Sequence, residues 1–129
     1  MSSALMIFIN EHEKFDFSST VRAISNLDNV YDLVIKEDNS EALDPEGSVL
    51  LCRYRYGNDI TNVRFNEDLS FIAAERLAEA SLDFALKLQS LIEMPLTATD
   101  TGYSFQVKLN NIASIQEFED IMSSGIYME

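Results

Sequence analysis

With 129 residues, 47 % apolar and 24 % charged side chains, eight Phe and five Tyr, the chain is read as a folded domain and not as a disordered acidic tail. Its 22 acidic against 9 basic residues, a net charge of −13, disfavour direct contact with phosphates or anionic membranes and make a basic protein the expected partner. One cysteine, Cys52, excludes an internal disulfide, and no apolar run approaches the ~20 residues that span a bilayer, so a cytoplasmic setting is expected.

After Met1-Ser2-Ser3 comes the run Ala4-Leu5-Met6-Ile7-Phe8-Ile9, which lacks the basic flank and the length of a signal peptide. It reads as a strand buried on both faces. Asp16 or Ser18 caps a first helix that puts Phe17, Val21, Ile24 and Leu27 on one side. Val30 to Lys36, rich in β-branched and aromatic residues, is a second strand. Glu37 to Gly47 is a polar loop, and its Asp44-Pro45-Glu46-Gly47 suits a type I turn.

Ser48 to Tyr56 and Ile60 to Asn66 form a hairpin joined through Gly57-Asn58-Asp59. An even-length turn places Leu50, Cys52, Tyr54 and Tyr56 on one face with Thr61, Val63 and Phe65. The opposite face then carries Leu51, Arg53, Arg55, Ile60, Asn62 and Arg64. Asp68 or Ser70 opens a long helix running to about Glu93, ended by Pro95. Glu75, Glu79, Asp83 and Lys87 form one stripe on it, with Leu77, Phe84, Leu88 and Ile92 opposite. Leu82 and Leu86 fall outside that core stripe, which points to a homodimer or docking contact through them.

Leu96 to Asp100 and Tyr103 to Leu109 make a second hairpin around Thr101-Gly102. A capping box, Ser114 with Glu117, starts the last helix, whose inner stripe is Ile115, Phe118, Ile121 and Met122 and which Gly125 can end. The apolar Ile126-Tyr127-Met128 follows. The expected fold is a single α+β domain over residues 1–129 with a mainly antiparallel sheet. Its order is β-α-β-β-β-α-β-β-α, with the helices packed chiefly on one face.

Chemistry-bearing patterns are few. His12 stands between Glu11 and Glu13, but neighbours on an extended segment point apart and no second histidine completes a zinc site. Cys52 lies on an apolar strand face while Arg53 and Arg55 project from the other, the setting of an inert core thiol. An EF-hand begun at Asp38 would need an oxygen ligand where Ala42 stands and glycine where Leu43 stands. Glycine-rich phosphate loops, Gly-x-Ser-x-Gly elbows and Cys-x-x-Cys pairs are absent from the sequence. No catalytic, cofactor-binding or metal-binding residue is therefore assigned.

Two surface sets remain as candidate partner-binding residues. The acidic set is Asp38, Glu41, Asp44 and Glu46 in the loop with Glu75, Glu79 and Asp83 on the helix. The basic set is Arg53, Arg55 and Arg64 on one sheet face beside Leu51 and Ile60, a composition found at interfaces.

A small acidic α+β chain without a catalytic motif resembles the immunity proteins that neutralise toxins exchanged between bacteria. That resemblance implies an inhibitor covering a basic toxin's active site. The order helix, three strands, helix, two strands, helix from Phe17 to Ser123 is also similar to class I type III secretion chaperones, which implies an acidic homodimer holding an effector segment. The strand Ala4 to Ile9 departs from the chaperone pattern. A third reading is an enzyme with dispersed carboxylates.

Overall fold

The computed structural model describes residues 4–10, 13–37, 50–65, 69–75, 79–100 and 105–124. Strand β1 (Ala4–Phe8) is followed by helix α1 (Phe17–Ser25), then by β2 (Val30–Glu37), β3 (Leu50–Tyr56), β4 (Asp59–Phe65) and β5 (Phe71–Glu75). Helix α2 (Glu79–Leu91), β6 (Thr97–Asp100), β7 (Gln106–Lys108), a 3₁₀ turn (Leu109–Asn111) and α3 (Ile115–Ser124) complete the chain. The architecture is α+β, in the expected order with one strand added before α2. Among the described residues no helix is long and apolar enough to cross a membrane.

The seven strands form one sheet in the order β2-β3-β4-β5-β1-β6-β7, and every neighbouring pair is antiparallel. Alternation then sorts the side chains. Leu5 and Ile7, Ile72 and Ala74, Val63 and Phe65, Cys52 and Tyr54, and Ala98 and Val107 face the buried side. The helices close over that side, α2 touching both α1 and α3. Edge-to-face rings fasten two joints: Phe17 of α1 on Phe65 of β4 at 5.3 Å, and Phe105 on Phe118 of α3 at 6.2 Å.

Local chemistry explains where the elements start and stop. Asp16 caps α1 by accepting from the Ser18 backbone N–H at 3.3 Å. Ser114 Oγ accepts from the Glu117 backbone N–H at 3.2 Å, as the capping box requires. At the far end of α2 the Gln89 amide donates to the carbonyls of Ile92 and Met94 and accepts from the Leu96 N–H at 2.8 Å. One side chain thus satisfies the backbone of the turn that carries Pro95 into β6.

Three expectations are corrected. The helix expected from Asp68 or Ser70 to Glu93 does not include Phe71–Glu75, which pairs on both sides, with β4 and with β1, and α2 spans Glu79–Leu91. Glu75 is therefore a strand residue and not part of a helical stripe with Glu79 and Asp83. Leu82 is buried in the core at 1 % exposure and Leu86 is partly buried against it, so Leu82 is not a surface contact for a second copy. Finally, β1 is fully buried on one face only, since Ala4, Met6 and Phe8 alternate with buried Leu5 and Ile7 and are half-buried. Its apolar run reflects a near-central position in the sheet, where Phe8 also meets Phe71 at 5.6 Å.

Candidate functional site

The hairpin β3–β4 turns at Gly57-Asn58, where Gly57 takes φ +62 at the first turn position, as a type II′ turn requires. The Gly57 N–H donates to the Asn29 carbonyl at 3.0 Å and fixes the turn against the entry to β2. This two-residue turn sets the register Arg53↔Asn62, Arg55↔Ile60 and Leu51↔Arg64. On the other side β3 pairs Val34↔Arg53 and Tyr31↔Arg55. Two rows therefore cross the sheet on the face turned away from the helices: Tyr31, Arg55, Ile60, and Val34, Arg53, Asn62.

β5 brings Glu75 into this face. Arg53 Nε donates to Asn62 Oδ1 at 3.1 Å, and Asn62 Nδ2 donates to Glu75 Oε2 at 2.9 Å. Arg64 Nε donates to Glu75 Oε1 at 2.9 Å, also an ion pair. Partial burial opposes ionisation of Glu75. The hydrogen bonds from Asn62 and Arg64, with the charges of Arg64 and Arg53, outweigh it and hold the carboxyl below the usual range. Among the described residues Arg55 has only a loose contact with Asp32 at 3.9 Å, both side chains being exposed. Asp32 sits in a β-bulge with φ +56, a conformation that Asp tolerates better than most residues.

Apolar surface surrounds this network. Tyr31 is 58 % exposed, Ile60 57 % and Val34 45 %, while Leu51, on the same face opposite Arg64, is buried at 6 %. Three of the largest exposed apolar side chains thus flank one arginine cluster. Such a combination suits a desolvated protein contact, because Arg stems and aromatic rings bury well while the guanidinium keeps directional donors.

The opposite rim of the hairpin meets α2. The Tyr56 hydroxyl donates to Asp83 Oδ2 at 2.8 Å and more weakly to Glu79 Oε2 at 3.4 Å. Burial, then the hydrogen bond and charge of Asp83 and the charge of Glu79, push the phenol's pKa up, so it stays protonated and works as a donor. A cleft of about 280 Å³ opens beside it, bordered by Asn29, Asp59, Thr61, Glu75 and Glu79. Cys52 is fully buried and burial pushes its thiol up to about 11, which suits an inert core residue.

The structure thus brings Arg53, Arg55 and Arg64 onto one face, as their alternation implies, and adds Glu75 to them. Glu75 belongs to β5 and to the arginine network, whereas Glu79 and Asp83 belong to α2 and hold Tyr56, with Glu75 and Glu79 bordering the same cleft. Asp38, Glu41, Asp44, Glu46 and His12 lie outside the described residues. Sequence reasoning missed Tyr31, Val34 and Asp32 as members of the site, because the bulge at Asp32 breaks the alternation that would have placed them. The cross-strand place of Asn62 opposite Arg53 was the available signal for its bridging role. In comparisons with family models, with curated proteins and with solved structures, the chain matches none of them.

Proposed function

We propose that the chain is a non-catalytic protein-binding domain that contacts its partner through the outer face of β2, β3 and β4, acting as an immunity-type inhibitor over a basic toxin's active site. The observation that carries the reading is the exposure of Tyr31, Val34 and Ile60 around the Arg53–Asn62–Glu75–Arg64 network. Large apolar side chains left in solvent beside arginines gain most from being covered by another protein. The net charge of −13 supports a partner of opposite net charge, drawn in over distance before the sheet face closes on it.

The test is affinity capture from the native host with the wild-type chain and with Ile60→Asp, which introduces an uncompensated carboxylate at the contact. The expected result is a basic protein retained by the wild type and released by the variant. A partner held equally by both would place the contact elsewhere, and failure to retain any protein at low salt would remove the protein-binding reading.

A further inference from the structure

Arg53 and Arg55 stand two residues apart on β3, so both project from the outer face about 7 Å apart along the strand. Neither spends its full donor capacity. Among the described residues Arg53 commits Nε to Asn62, and Arg55 meets only Asp32, at a separation beyond hydrogen-bond range. Glu75, the other described carboxylate of this network, is engaged by Asn62 and Arg64. A chain with net charge −13 therefore presents a local pair of open guanidinium forks, with Tyr31 and Ile60 flanking one and Val34 the other. Such forks match carboxylates in a bidentate, planar geometry that lysine does not reproduce.

We propose that this part of the outer face is the docking surface for a carboxylate-bearing protein segment with apolar neighbours. The guanidiniums of Arg53 and Arg55 grip its carboxylates while its apolar side chains cover Tyr31, Val34 and Ile60. This deepens the protein-binding reading and rests on it: a partner that is basic as a whole presents a locally acidic contact. Charge complementarity selects the occupant, because the arginine pair contrasts with the charge of the rest of the chain. A nucleic acid is the less suitable anion, since a polyphosphate meets the repulsion of the whole acidic body and leaves the aliphatic flanks unfilled.

The experiment pans a random peptide library displayed on phage against the full chain and against Arg53→Glu/Arg55→Glu. An enriched peptide is then mapped by ¹⁵N–¹H correlation spectra, with a single-stranded oligonucleotide as a parallel probe. Wild-type protein is expected to enrich peptides that combine Asp or Glu with apolar residues and shift amides of β2, β3 and β4. Arg53→Gln and Arg53→Lys should each weaken such a peptide roughly tenfold or more, as loss of a charge-assisted fork implies. Asp32→Asn keeps a residue that accepts a positive φ and removes the competing carboxylate, so it should tighten binding. Lys87→Glu on α2 should leave it unchanged.

Peptides enriched on the outer face without acidic residues, or indifferent to the arginine changes, would overturn the carboxylate assignment and leave the protein-binding reading standing. Peptides that shift only α1, α2 or α3 would overturn both. A library that enriches nothing, or an oligonucleotide that binds this face more tightly than any peptide, would also overturn the assignment.

Discussion

Glu75 and Tyr56 are the residues at which polar chemistry ties neighbouring elements together. At Glu75 partial burial penalises the charge, but two donors and two nearby arginines hold the folded carboxyl below its usual pKa. A lowered folded pKa contributes stability above the unfolded value near ~4.3, and that contribution is lost as pH falls through the folded one. Glu75→Gln should therefore be less stable than wild type at neutral pH by under about 1 kcal/mol, since the pair is partly solvated. The difference should vanish on acidification, which urea melts between pH ~7 and pH ~3 can read. Tyr56→Phe removes the donor to Asp83 and should cost about 1 kcal/mol at neutral pH, measured the same way. A Tyr56→Phe variant as stable as wild type would mean that water replaces the bond without loss.

Among the elements, the β3–β4 hairpin was the most legible. Alternation from Cys52 to Tyr56 and from Thr61 to Phe65, with a glycine at the turn, leaves one register that buries Cys52, Tyr54, Val63 and Phe65 together. Segment 71–75 was the least legible. Ala73, Ala74 and Glu75 favour helix, and they run directly into a helical pattern. Only pairing with β1 and β4, one distant in sequence, makes the segment a strand, so tertiary context overrides propensity. A second misreading put Leu82 outside the core: α2 packs against α1, α3 and β1, so its buried side is wide enough to include Leu82, Phe84, Ala85 and Leu88. Leu82→Ala and Leu88→Ala should each lose ~2–5 kcal/mol in denaturant melts by opening cavities. A loss below half a kilocalorie at Leu82 would return that residue to the surface. The candidate site was half legible, because alternation gave the arginines, but the bulge and the added strand that supply Asp32 and Glu75 depend on the assembled sheet.

For the whole molecule, charge is uneven between the helices and the sheet. Helices α2 and α3 carry Glu79, Asp83, Glu117, Glu119 and Asp120 against Lys87, whereas on the strands Lys36, Arg53, Arg55, Arg64 and Lys108 are balanced by Asp32, Glu37, Asp59, Glu75 and Asp100. The acidic helices act over distance and the arginine face at contact, so their effects on binding should differ in kind. Raising salt from ~0.05 to ~0.5 M shrinks the Debye length from more than ~10 Å to a few ångströms and should slow association with a basic partner. Charge reversal at Glu117 and Glu119 should act in the same way, whereas Arg53→Glu should mainly speed dissociation. Stopped-flow kinetics at the two salt concentrations separate these. Association rates indifferent to both changes would reduce the charge to a solubility device.

The central claim is that the partner covers the helix-free face of β2, β3 and β4. Amide hydrogen exchange of the chain, free and in complex with its captured partner, tests it most directly. The expected result is slowed exchange across 30–37 and 50–65, with α1 and α3 exchanging as in the free chain. Protection confined to α1, α2 and α3, with β2 and the β3–β4 hairpin unchanged, would contradict it.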